Sequence, residues 1–351
     1  VPARQSTANA TRRKAAHTAE SRAFRILSFD GGGIRGIIPA LWLERLEHHL
    51  GSPIADHVDL VAGTSTGAIL AAAVGLRIPM SHVVALYRKR GKEIFPGGAS
   101  QLWSRASRIF TQGASHPRYD GVGLANALRA ELRLDGNPLP LFGDAATRLL
   151  ITSYDTISRE AMVMKSWDKR YETLPMWEVA KASSSAPTYF PAHVMEVNGA
   201  ERALVDGGVV ANNPAVAALA TAVQLSSSES GAVLNPRALV LGSFGTGALA
   251  RSISKGEARE WGALEWAIPI IDVLFDGTAD AIDYYLTAVL PPTNYLRFQT
   301  PLRVGYDDMD NADATNLAGL TSIAVEYLER AQNGETGEAR IARLAGMLRP
   351  E

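Results

Sequence analysis

The segment Phe24-Arg25-Ile26-Leu27-Ser28-Phe29 is a short apolar run that stops at Asp30-Gly31-Gly32-Gly33. That length and that glycine stop predict a buried strand. Over residues 34–50 apolar side chains recur at helical spacing (Ile37, Leu41, Leu43, Leu46, Leu50) until Gly51, which predicts a helix with a glycine terminator. The pattern then repeats, with residues 59–62 as a strand, Gly63-Thr64-Ser65-Thr66-Gly67 as a turn and 68–76 as a helix of small residues. Further strands are predicted at 149–153, 203–205 and 238–242, with helices between them. Residues 226–230 read as a loop, and the Gly/Glu-rich stretch from Asn333 as a frayed turn before a last helix. Strands alternating with helices argue for an α/β fold with a largely parallel sheet covered on both faces.

Composition narrows the chemistry. Of 351 residues 46% are hydrophobic and 20% charged, which excludes disorder over most of the length. No composition shift divides residues 24–332, so one domain is expected over 23–332, with a tail at 1–22 and a terminal loop and helix at 333–351. The tail is Ala/Ser/Thr-rich and carries Arg4, Arg12, Arg13, Lys14 and Arg22 against the single acid Glu20. It reads as a disordered basic tail, with an organellar transit peptide as the alternative. Cysteine is absent, which removes thiol catalysis, zinc–thiolate sites, Fe–S clusters and disulfides together. With 35 Lys and Arg against 36 Asp and Glu, there is no charge excess for gripping nucleic acid over a broad face. The longest uncharged run, 60–76, is broken by the Gly63–Gly67 turn, so no membrane-spanning helix is expected.

Two glycine motifs carry chemistry. Gly31, Gly33 and Gly36 satisfy G-x-G-x-x-G between a strand and a helix, the context of a dinucleotide-binding loop. Such a loop needs an acid about 20 residues on, at the end of the second strand. Here Asp56 and Asp59 precede that strand, and its end is occupied by the second motif. Exposed N–H groups at a helix N-terminus hold a phosphate, or equally an oxyanion formed during acyl transfer.

The second motif, with Gly63 and Gly67 flanking Ser65, is a G-x-S-x-G turn that presents the serine as a nucleophile. Serine needs a base. The seven histidines are His17, His48, His49, His57, His82, His116 and His193, and none follows residue 193, where a hydrolase triad would want one. The alternative is a carboxylate. Asp206 ends the apolar run Leu204-Val205 and precedes Gly207-Gly208; removed from water beside the serine, it would gain the basicity that proton transfer requires.

The ordered set Asp30–Gly36, Gly63–Gly67 and Asp206–Gly208 resembles the patatin-like phospholipases. Supporting stretches are Ala182–Pro191, Asn212-Asn213-Pro214 and Gly245-Thr246-Gly247. The resemblance covers about residues 24–300 and implies a three-layer α/β fold with a central, largely parallel sheet. It also implies a lipid acyl hydrolase that cleaves glycerophospholipid esters through an acyl-serine, with neither histidine nor calcium. Carried over residue by residue, Ser65 is the nucleophile, Asp206 the general base, and Gly31, Gly32, Gly33 and Arg35 form the oxyanion hole. The implied partner is a phospholipid membrane surface, met peripherally by a cytoplasmic protein; no cofactor, metal or nucleic acid is implied. Two alternatives stand beside this. Some bacterial members are held inactive until a cyclic nucleotide activates them, and the G-x-G-x-x-G loop alone would suit a non-catalytic dinucleotide-binding protein.

Lipid access needs an apolar, interfacial surface. Residues 94–119 contain no acid and place Phe95, Leu102, Trp103, Ile109 and Phe110 beside Arg105, Arg108, His116 and Arg118, as in a lid or a basic loop packed on the body. Residues 261–290 mix apolar side chains with spaced acids, which predicts an amphipathic helix that packs on the core and could wall an acyl groove.

Overall fold

The computed structural model describes residues 23–96, 116–134, 136, 139–230, 234–235, 238–250, 252–266, 269–332 and 334–349. The basic tail and most of the acid-free segment, Trp103 included, lie outside these residues. Strand β1 (Phe24–Phe29) leads through the glycine loop and a 3-10 turn at Gly33–Gly36 into helix α1 (Ile37–Leu50). Strand β2 (Leu60–Gly63) leads through Ser65 into α2 (Thr66–Gly75), followed by α3 (Met80–Ile94) and α4 (Val122–Glu131). An edge unit comes next: β3 (Arg148–Asp155), β4 (Glu160–Lys165), α5 (Met176–Ser183), β5 (His193–Val197) and β6 (Ala200–Asp206). Short α6 (Gly208–Ala211) and α7 (Ala215–Ser230) precede β7 (Leu239–Phe244). Helices α8 (Lys255–Glu260), α9 (Ala263–Trp266) and α10 (Pro269–Val289), strand β8 (Tyr295–Phe298), α11 (Ala314–Glu329), a two-residue hairpin and α12 (Gly337–Leu348) complete the order.

Strands β2, β1, β7 and β8 run parallel, as does the β2–β3 pair, so the fold is the expected three-layer α/β arrangement. Side chains alternate between the two faces, as a pleated strand requires. Ile26, Leu60, Ala62, Leu239 and Leu241 pack with Ala215, Ala218 and Ala222 of α7 on one face. Leu27, Phe29 and Val61 pack with α1, α2 and the helices around them on the other. Helix α10 buries Ile271, Phe275, Ala279 and Leu286, the inward stripe expected of an amphipathic helix. Among the described residues no helix is long and apolar enough to cross a membrane.

The serines at 226–230 continue α7 rather than forming a loop. Their hydroxyls bond back along the helix (Ser227 Oγ to Val223 O, 3.0 Å; Ser228 Oγ to Leu225 O, 3.0 Å), so the polar run needs no turn to satisfy itself. The turn expected from Asn333 is a small antiparallel pair, Glu335–Thr336 against Ala331–Gln332. Thr336 then caps α12 by accepting Ala339 N–H.

One topological detail positions everything that follows. Leu150 and Ile151 of β3 pair with both β2 and β4, whereas Ser153 to Asp155 pair with both β4 and β6. A strand has two edges, so β2 and β6 share one edge of β3 end to end. The C-terminal Asp206 of β6 is thereby delivered, against the chain direction, to the C-terminal tip of β2.

Candidate active site

Ligands of open α/β sheets bind outside the carboxyl ends of the strands, and the motifs gather there. Ser65 follows β2 with φ 55° and ψ −124°, a left-handed conformation that L residues adopt only at a cost. The flanking glycines permit the tight turn by close approach: a Cβ on Gly63 would stand 2.2 Å from Gly67 O, and one on Gly67 only 2.1 Å from Phe29 O. The turn is held from three sides. Ser65 N–H donates to Ser183 Oγ at 2.8 Å. The Thr64 hydroxyl donates to Ala211 O at 2.7 Å and meets Thr152 Oγ1 at 2.6 Å. The result is a buried serine, 5% exposed, at the floor of a cleft.

Asp206 is fully buried. Its N–H donates to Ser185 O, and its Oδ1 accepts Gly208 N–H at 2.7 Å. Burial pushes its carboxyl up to about 7, with the nearby Ser65 hydroxyl and Gly208 N–H pulling the other way, and its Oδ2 is buried with no hydrogen-bond partner among the described residues. No cation takes part in that balance. Of the six histidines among the described residues, four have partners of their own: His57 meets Ser52, His82 meets Glu131, His49 meets Glu338, and His193 packs beside Trp177 and Glu178.

The glycine loop lies against this pair. A Cβ on Gly31 would fall 3.2 Å from Ser65 Cβ, which places the two backbones side by side. The predicted donors are not equivalent. Gly31 N–H donates to Asn212 O (3.0 Å) and Arg35 N–H to Gly32 O (3.2 Å), so both are already engaged. The Arg35 side chain is buried and grips backbone carbonyls, Gly32 O and Asp307 O, so it braces the loop from behind. Gly32 and Gly33 N–H have no protein acceptor among the described residues. Thr246 Oγ1 fixes the loop by donating to Gly31 O at 2.7 Å.

The cleft is lined by Ile34, Ile69, Ile94, Phe95, Leu124, Phe190, Phe275 and Met309, with the hydroxyls of Ser65, Thr66, Tyr87, Ser184 and Tyr189 as its polar points. It is an apolar slot with Ser65 among its few polar lining residues. Sequence reasoning missed Ser183, the acceptor for Ser65 N–H, and Arg297, whose guanidinium holds the carboxylate of Asp30 at 2.6 Å. A signal for Ser183 exists only in the Ala182–Pro191 stretch as a whole.

A model of the family described as "Patatin-like phospholipase" matches residues 27–219, the span that holds the glycine loop, the Ser65 turn and Asp206. The chain belongs to the patatin-like phospholipase family. Among patatin relatives, "Patatin-like protein 2" of Arabidopsis thaliana is 31% identical over 344 residues, covering 87% of this chain and 83% of that protein. "Probable inactive patatin-3-Kuras 1" of Solanum tuberosum is 30% identical over 356 residues, 92% of each chain. "Patatin-17" of Solanum cardiophyllum is 28% identical over 361 residues, 92% of this chain and 89% of that one. A patatin-like lipid hydrolase is therefore the general class of this protein.

Proposed function

We propose that this patatin-like protein hydrolyses a carboxylic ester of a glycerophospholipid through an acyl-Ser65 intermediate, with Asp206 as the general base. One observation carries the reading: a strained, buried serine faces a carboxylate that burial has stripped of water and to which no cation has been given. A carboxylate of ordinary pKa is a poor base, and one poised near 7 is matched to neutral pH.

The steps follow from the positions. The Asp206 carboxylate takes the Ser65 hydroxyl proton as Oγ bonds to the ester carbonyl carbon. The carbonyl electrons move onto its oxygen, which the Gly32 and Gly33 N–H groups receive; one such donor is worth about 2.7–4 kcal/mol. Collapse breaks the ester C–O bond, and the departing alkoxide takes the proton from Asp206. Water then gives a proton to the same carboxylate as it attacks the acyl carbon; collapse breaks the acyl–Oγ bond, the Ser65 oxygen takes the proton back from Asp206, and the fatty acid leaves. The apolar cleft supplies the place for the acyl chain.

The test is phospholipid hydrolysis by the wild type, Ser65→Ala and Asp206→Asn, with fluorophosphonate labelling of Ser65 alongside. The expected result is loss of hydrolysis in both variants and labelling of the wild type only. Full activity in either variant would refute the assignment.

A further inference from the structure

The lining of the cleft comes from distant parts of the chain. Phe95, Phe190 and Met309 all line it. Behind the phenylalanines stands Tyr119, its ring 5.7 Å from that of Phe95 and 5.5 Å from that of Phe190. Met309 is set by its own backbone, since its carbonyl accepts Ile34 N–H at 2.8 Å.

Asp310, the residue after Met309, reaches across. Its Oδ2 accepts Tyr119 OH at 2.6 Å and meets Arg118 Nη1 at 2.5 Å, with the carboxylate side chain only 9% exposed. Arg118 and Tyr119 are in turn stitched to the segment that leads into Phe190, their N–H groups donating to Thr188 O (2.9 Å) and Tyr189 O (2.8 Å). One carboxylate thus fastens the loop after β8 to the segment before α4, one residue along the chain from Met309 of the cleft and beside the Tyr119 ring that packs on Phe95 and Phe190. Charge-assisted bonds of this kind are shorter and stronger than neutral ones. Contacts among apolar side chains alone would let the walls part.

We propose that the Asp310–Arg118–Tyr119 clasp closes one end of the acyl cleft and so sets the length of acyl chain the protein accepts. The proposal rests on the reading of this cleft as the acyl site. Methylenes that fit inside leave water, and those that meet a fastened wall must fold back or stay outside. Releasing the clasp lets Met309 and the two phenylalanines separate, and longer chains gain relative to shorter ones.

The experiment measures kcat/KM for para-nitrophenyl esters from butyrate to dodecanoate, presented as monomers, in the wild type, Asp310→Ala and Tyr119→Phe. Asp310→Ala is expected to raise the dodecanoate-to-butyrate ratio by about tenfold, in the range that pocket fit commands. Tyr119→Phe keeps the ring and the Arg118 pair, and is expected to move the ratio the same way by less. If Asp310→Ala fails to fold, shown by lost Ser65 labelling, Tyr119→Phe decides alone. A ratio equal to that of the wild type in the folded variants overturns the clasp while leaving the acyl-site reading intact. A wild type that hydrolyses no ester and takes no label overturns both.

Discussion

Asp30 and Asp206 invite comparison, because they begin from the same local sequence. Asp30 directly follows a strand and Asp206 ends one, each precedes Gly-Gly, and each is buried to within 1% of completely. Burial raises both carboxyls, Asp30 to about 6 and Asp206 to about 7. What differs is the partner. Asp30 is held by the guanidinium of the largely but not fully buried Arg297, which also donates to Ser243 Oγ at 2.9 Å. Asp206 faces a hydroxyl and a backbone N–H. Desolvation alone does not make a base: with a cation beside it the carboxylate is a fastener for the glycine loop, and without one it is free to accept a proton.

The comparison breaks if the two residues respond alike to substitution. The largest expected effect is on turnover, where Asp206→Asn lowers kcat by about 10²–10⁴-fold, the usual contribution of a general base. Asp30→Asn instead strands the Arg297 charge in the interior, and a loss of about 3–5 kcal/mol in unfolding free energy is expected from denaturant titration. A fall in kcat for Asp30→Asn as deep as that for Asp206→Asn, in protein still folded, would erase the distinction.

The pH dependence sharpens it. In the proposed mechanism the ionised form of Asp206 is the base, so kcat/KM is expected to fall by about tenfold per pH unit below a midpoint near 7. A profile flat from pH 5 to 8 would remove Asp206 from the role. Stability runs the other way. Because the folded carboxyl sits above its ordinary value of 3.8, the unfolded chain ionises first as pH rises, and the folded state loses stability between about pH 4 and 7. Asp206→Asn escapes that loss, so its melting temperature is expected to exceed that of the wild type at pH 8 and to converge with it near pH 3.

The smallest effect concerns the turn itself. Ser183→Ala leaves the buried Ser65 N–H without an acceptor, which costs about 1–3 kcal/mol and is measurable as a shifted urea midpoint with an unchanged slope.

How far these features were legible follows from their range along the chain. The runs Phe24–Phe29 and 59–62 with their glycine stops announce β1, β2 and the Ser65 turn, because apolar periodicity and glycine punctuation are local properties. Asp206 was legible as the end of an apolar run and as the partner expected for Ser65 once no later histidine was found, but the route by which the fold delivers it was not. That route depends on β6 pairing antiparallel with β3, a register between residues some fifty positions apart in the chain. Strands β4 and β5 escaped notice because each is half-exposed, with charged residues among its outward positions, and the four-residue β8, which carries Arg297, went unread as well. The donors of the glycine loop were over-counted for a similar reason. The sequence offers every N–H equally, and only the fold spends Gly31 on Asn212 and Arg35 on Gly32.

The shared edge of β3 has a consequence for how the site can vary. The last β3 residue paired with β2 is Ile151 and the first paired with β6 is Ser153, so Thr152 alone stands between the two partners. Its hydroxyl meets Thr64 from one of them, and its carbonyl lies where a side chain on Gly207 would collide from the other. Thr152 is a one-residue spacer, and the gap between serine and carboxylate is set along β3, where Asp206 pairs with Ser153 and Ser65 lies two residues past Gly63, the partner of Ile151. Loops around this fold can lengthen without disturbing the pair; β3 cannot gain or lose a single position there.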